Sequence, residues 1–339
     1  MFYLIAVLGF ALMIFVHELG HFLAAKAANV KVHEFAIGMG PALLRWGKGE
    51  TKYSIRIFPF GGYVKLEGED EESEDDRSLS KRPPLVRIGV MVAGAFMNVL
   101  LGFLIFVILA YCRQLAVPIV SYVVPNSAAE SVGIQVGDEI VRINDTVVHT
   151  QYDVQFYLSQ IKNENATVTV KRGGDFLTYS LKLTKDESGN YKIGFRGSAV
   201  ERKFTKIISC SFYHSIFMVK LVFVSLYWLI TGVVSVREVS GPVGIVGVIG
   251  QVTAAEPDFL IALFDVLTLF AMITINLGVF NLLPFPALDG GKVVFALFEL
   301  IFRKPVSVKI ESLIHAIGLI ILLILSVLVM ISDVFKLIY

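Results

Sequence analysis

The sequence is poor in cysteine, poor in charge, and carries no excess of one sign. Its only cysteines in 339 residues are Cys112 and Cys210, too few for a disulfide framework or a thiolate zinc site and enough for one bridge at most. Lys and Arg number 30 against 29 Asp and Glu, a net charge of +1, so no long-range field steers the chain to nucleic acid. Charged residues make up 17% and hydrophobic ones 55%. That is too apolar for a soluble two-domain protein and fits several membrane spans with one soluble insert. The N-terminus lacks the basic start of a cleaved signal peptide, so residues 1–27 are expected to remain as a first transmembrane helix.

What is present begins inside that helix. No charged side chain occurs from Met1 to Val16, and His17-Glu18-Leu19-Gly20-His21 follows. On a helix, positions four apart share a face, so His17 and His21 can aim both rings at one ion. Glu18 lies about a quarter-turn round, within reach of a water at that ion. The plainer alternative is two histidines satisfied inside a helical bundle. Three polar or ionisable groups at membrane depth are costly unless function retains them, and this favours a metal site.

Further stretches reach the roughly 20 apolar residues a bilayer requires: 88–111, 259–283 within a segment 259–291, and 312–332. Residues 28–87 are rich in Lys and Arg, including Lys31, Arg45, Lys48, Lys52, Arg56 and Lys65, and the positive-inside bias places them in the cytoplasm. Within them, alternation over 53–58 and 63–66 about a Pro59–Gly62 turn predicts a membrane-associated β-hairpin. Ile55 and Ile57 on its edge, with Gly61 and Gly62 at its turn, are candidate substrate-binding positions, because an extended chain can add to an open strand. Residues 115–197 change to short alternating strands of ordinary polarity. Region 204–250 contains the apolar stretch Ile207–Val236, interrupted by Lys220, and is expected to be interfacial or partly embedded.

A second polar cluster closes the span that starts near Phe259: Asn281-Leu282-Leu283-Pro284-Phe285-Pro286-Ala287-Leu288-Asp289-Gly290-Gly291. Two prolines break the helix before Asp289. Asp289 is either the N-cap of a following helix Lys292–Phe302 or the third protein ligand that a catalytic zinc needs to keep one open position. With His17 and His21 present, the ligand reading is favoured. It requires 259–291 to cross in the same direction as 1–27. Region 204–250 must then cross an even number of times, which predicts four spans with both termini outside.

The Gly137-Asp138-Glu139-Ile140-Val141-Arg142-Ile143-Asn144 core of the insert resembles a circularly permuted bacterial PDZ domain. His17-Glu18-x-x-His21 with the Asn281–Gly291 cluster, the Gly61-Gly62-Tyr63-Val64-Lys65 turn, Ala93-Gly94 through Asn98, and Ser240-Gly241-Pro242-Val243-Gly244 together resemble the site-2 protease family of intramembrane zinc metalloproteases, in its bacterial branch with a single PDZ domain. Ala95 stands where that family usually has proline. The resemblance implies a membrane α-helical bundle of four transmembrane helices with a membrane-associated β-hairpin and an inserted β-rich PDZ domain, lodged in lipid in the bacterial inner membrane with the PDZ domain extracytoplasmic. It implies Zn2+ on His17, His21 and Asp289, catalysis by Glu18, and substrate backbone held by Asn281. Its implied substrates are membrane-anchored proteins such as anti-sigma factors or signal-peptide remnants. The rival classes are an inert PDZ-bearing membrane adaptor, which has no need of Glu18, and a metal transporter, which predicts a path of polar groups rather than one convergence. His33, His149, His214 and His315 read as isolated surface or packing residues, and Asp265 and Asn98 as facing the bundle interior.

Overall fold

The computed structural model describes residues 2–69, 71, 73–185, 189, 191–235, 241–256 and 258–338. In chain order its elements are α1 (Phe2–Ala27), β1 (Val32–Trp46), β2 (Lys52–Leu66), α2 (Pro84–Cys112), β3 (Ala116–Val123), α3 (Ala128–Ser131), β4 (Glu139–Ile143), β5 (Thr146–Val147), α4 (Gln151–Gln160), β6 (Asn165–Arg172), β7 (Asp175–Lys182), β8 (Thr184–Lys185), β9 (Tyr191–Lys192), β10 (Phe195–Ala199), α5 (Phe204–Ile230), α6 (Pro242–Ala255), α7 (Phe259–Asn281), α8 (Asp289–Phe302) and α9 (Val308–Ile338). They form two compact units, residues 1–102 with 221–339, and residues 103–220.

Among the described residues five helices are long and apolar enough to cross a membrane: Leu4–Ala27, Pro84–Cys112, Phe204–Ile230, Phe259–Asn281 and Val308–Lys336. Lys220 marks an expected interruption of the apolar stretch Ile207–Val236, yet α5 runs through that lysine without a break. Val236 and Ser240 lie outside the described residues. On α9 the side chains of Leu319, Ile320, Leu323, Ile324, Val327 and Leu328 are all exposed. Apolar groups exposed over so wide a face of a helix are stable in lipid and not in water.

In the first unit α1, α2 and α7 pack closely. α2 runs antiparallel to α1, setting Asn98 beside His17 and Gly94 beside His21. It passes Ala95 without interruption, and the carbonyl of Ala95 lies against Gly278 of α7.

The expected hairpin takes a different form. The 53–58 and 63–66 segments are not partners of each other; they belong to one bent strand, β2, that wraps around β1. Ile37 of β1 faces Gly62 on one side and Ile55 on the other, and Ile55 also faces Leu44. Positive φ at Gly38 (87°) and Gly61 (84°) permits the bends, a backbone region that side chains with a Cβ disfavour. The sheet sits on α1 through Phe35, whose ring meets Phe15 at 5.9 Å and Phe22 at 5.3 Å.

The second unit contains a sheet of order β10-β3-β4-β6-β7, with β5 on β4. Ile140, Ile143, Val168, Val170, Leu181 and Ile193 fill its core. Ser127 caps α3, and Thr150 with Asp153 forms a capping box on α4, as Ser and Thr at helix starts favour. The Arg172 guanidinium bonds both oxygens of Asp138 at 2.6 and 2.7 Å and holds that carboxyl below its usual range. Cys112 and Cys210 are both free.

Candidate metal centre

The three residues expected to share a metal meet in the first unit. His17 Nε2 and His21 Nε2 are 3.2 Å apart, and Asp289 Oδ2 lies 3.2 Å from the first and 3.3 Å from the second. Tetrahedral zinc with bonds of about 2.0–2.1 Å separates its ligand atoms by about 3.3 Å. The triangle therefore has the size of one face of such a site. Both imidazoles are buried, and Asp289 Oδ2, itself inaccessible, accepts no ordinary hydrogen bond among the described residues. Two imidazole nitrogens and a carboxylate oxygen suit zinc and leave its fourth position open.

Asp289 reaches this place through the broken backbone before it. α7 stops at Asn281, and residues 282–288 turn, with Ala287 in the left-handed region at φ 76°. The Ala287 N–H donates to His315 Nδ1 at 2.9 Å. Helix α8 then begins at Asp289 itself; its N-cap is Leu288, with no side-chain cap. The capping alternative thus falls: a residue inside the first turn, with its carboxylate turned to two histidines, is free of that role.

Asn281 lies at the same point, its Nδ2 3.3 Å from His17 Nε2. Glu18 lines a cavity of ≈ 730 Å³ with His17, His21, Asp289, Tyr63 and Glu67. A Cβ added to Gly62 would come 2.9 Å from Glu18 Cγ, so the second arm of β2 runs past the carboxylate. Ile55, by contrast, is enclosed by neighbouring strand on both sides. Two edges lack a further ladder partner among the described residues, 42–46 of β1 and 62–66 of β2, and it is the second that runs past Glu18.

The model of peptidase family M50 matches residues 5–325 of the 339. The chain belongs to this family. A Clostridium perfringens protein named "putative zinc metalloprotease" is 41% identical over 98% of this chain and 98% of the relative. One of the same description from Clostridium acetobutylicum is 39% identical over 97% and 96%, and one from Fusobacterium nucleatum 37% over 99% and 99%. Among solved structures, the PDZ domain of an SdrC-like protein from Listeria innocua matches 26% of this chain and 99% of its own, with 24% identity and a TM-score of 0.23. Family M50 with these apolar helices makes the chain an integral membrane protein of a protease family.

Around the candidate centre of this M50 family member lie side chains that no sequence motif marks. His33 is not isolated: it lines the cavity and meets Glu67 Oε2 at 2.5 Å. His315 secures the turn before Asp289. His149 and His214 are packing residues as expected, stacked on Tyr213 at 4.0 Å and set against Phe106 at 5.5 Å. Glu34 joins the arms of the wrapped sheet, accepting from Ser54 at 2.6 Å, Arg56 at 2.9 Å and Tyr63 at 2.8 Å. Burial raises the Glu34 carboxyl, and these donors outweigh it, bringing it down to about 2. A histidine or carboxylate far from any motif gives no sequence signal, because its partner is chosen by the fold.

Proposed function

We propose that this protein is a zinc-dependent intramembrane endopeptidase that cleaves the transmembrane segments of membrane-anchored regulators or signal-peptide remnants. The observation that carries this is the triangle of His17, His21 and Asp289 with Glu18 beside it, held on spans apolar enough for lipid. The zinc metalloprotease naming of the relatives supports the same metal. Zinc held there supplies Lewis-acid polarisation of a carbonyl and a pKa for water near 7.

Glu18 takes the proton of the attacking water and returns it to the leaving nitrogen, the usual division of labour for a carboxylate beside such a site. A helical substrate hides its carbonyls in its own hydrogen bonds and must be extended before attack. The 62–66 edge of β2, beside Glu18, is the surface that can pair with the extended segment, and Asn281 holds its freed backbone next to His17. Ile55, paired with Ile37 and Leu44, then acts from the inner part of the sheet, keeping that edge in place.

Contacts within the first unit support a four-span topology. α9 rises from Val308, and near its far end Asp333 accepts from the backbone N–H groups of Gly241 at 2.9 Å and Gly244 at 2.8 Å. With residues 28–87 cytoplasmic, α2 ends outside, and so does Asp333. On this reading the chain between Cys112 and Gly241 crosses the membrane an even number of times, with α5 interfacial or re-entrant despite its length. The PDZ-like unit is then extracytoplasmic.

The test is a purified Glu18→Gln variant. Wild type should contain one zinc per chain and cut a model transmembrane substrate, and the variant should keep the zinc and lose the cut. Cleavage by the variant would remove Glu18 from its role, and wild type without zinc would remove the metal. For the topology, reporters on both termini should be reached from the same side of sealed vesicles.

A further inference from the structure

We propose that Asn98 is a positioning residue for the metal centre: it presents its amide oxygen to Nδ1 of His17, fixing the ring in the tautomer that leaves Nε2 free to bind the ion. The proposal rests on the zinc reading of the site.

Each histidine offers Nε2 to the triangle, so each must carry its proton on Nδ1. A metal-binding imidazole ordinarily donates that proton to an outer partner, which sets both tautomer and ring orientation. For His21 the partner is plain: Nδ1 donates to the carbonyl of Val90 at 2.9 Å. For His17 the group at Nδ1 is the carboxamide of Asn98, 3.4 Å away at Nδ2. An amide nitrogen there can only donate. It would demand an unprotonated Nδ1, and therefore a proton on Nε2 facing Asp289 and His21, where the ion must sit.

Turning the carboxamide by a half-turn exchanges its nitrogen and oxygen, two ends of nearly equal size. The Asn98 oxygen is buried and accepts no hydrogen bond among the described residues, so the turn breaks no bond that it makes. It brings the acceptor to the Nδ1 proton of His17 and resolves both mismatches together. The fold keeps Asn98 in place for this. The residue is 0% exposed, its backbone carbonyl accepts from Thr274 of α7 at 3.2 Å, and Gly278 lets α7 approach its side chain. Val90, Gly94 and Asn98 stand at intervals of four on α2, one stripe facing the His17 and His21 stripe of α1. One end supplies a backbone acceptor, the middle supplies space, and the other end supplies a side-chain acceptor.

Zinc affinity by chelator competition, on intact protein in detergent, tests this without recourse to activity. Asn98→Leu, close in size but without an acceptor, should weaken zinc binding by about 10–100-fold while helicity and elution volume stay unchanged. Asn98→Asp, which accepts through either oxygen, should hold affinity at or above the wild-type value. A purely packing role moves both variants alike, so equal losses in Leu and Asp overturn the proposal, as does wild-type affinity in Asn98→Leu. If the leucine variant does not fold, Asn98→Ala takes its place with the same expectation. Zinc-loaded wild type with unaffected variants defeats the role of Asn98 alone; wild type without zinc defeats the metal reading beneath it as well.

Discussion

Gly94 of α2 and His21 of α1 touch: a Cβ built on residue 94 would lie 2.3 Å from Nε2 of His21, well inside van der Waals contact. The atom that this glycine makes room for is the one that completes the triangle with His17 and Asp289. The close passage of α2 over α1 is thus part of the candidate metal centre and not only of the bundle's packing.

Gly94→Ala should accordingly act on the metal before it acts on the fold. Overpacking of one methyl costs about 1–3 kcal/mol where nothing yields, and the imidazole is the group that can swing away. Zinc content of the purified variant should fall by at least about tenfold with the helical signal retained. Full zinc occupancy would mean that the ring and helix adjust without disturbing the site.

The open edge of β2 makes a positional prediction. Lys65 is exposed on the 62–66 arm and lines the same cavity as Glu18. In a Glu18→Gln, Cys112→Ser background, Lys65→Cys should form a disulfide with a single cysteine placed within a few residues of the scissile bond, and a cysteine at Ile55 should not. Equal crosslinking from Ile55 would return the substrate to the inner part of the sheet.

The Glu34 junction makes a pH prediction. Its carboxyl ordinarily titrates near 4.5 and is brought down to about 2 in the folded chain. A depressed carboxylate contributes stability that is complete above about pH 4.5 and is lost as pH falls towards 2. Glu34→Gln should therefore lower stability by about 1–3 kcal/mol at neutral pH and flatten the acid limb of the thermal midpoint against pH. An unchanged acid limb would assign that loss to other carboxylates.

How much of this was legible in advance follows from the range over which each feature is decided. The positions of His17, Glu18 and His21 on one helix, the apolar lengths of the spans, the break before Asp289 and the capped starts in the second unit are set by neighbours within a turn or two, where helix period and backbone chemistry act directly. The pairing of β1 with both arms of β2 was not, because alternation marks strands without naming their partners, and a hairpin and a wrapped strand share the same local pattern.

The sequence by itself determined which groups could bind a metal and that two of them stand on a helix apolar enough for lipid. Only the tertiary structure decided that Asp289 closes the triangle, that His315 holds the turn before it, and that Val90, Gly94 and Asn98 stand behind the two histidines. The reason is physical: those contacts are made by packing α2 and α7 against each other and α1, and by α9 meeting the turn before Asp289, and a contact between residues distant in the chain is specified by the shape of the whole bundle rather than by any stretch of it.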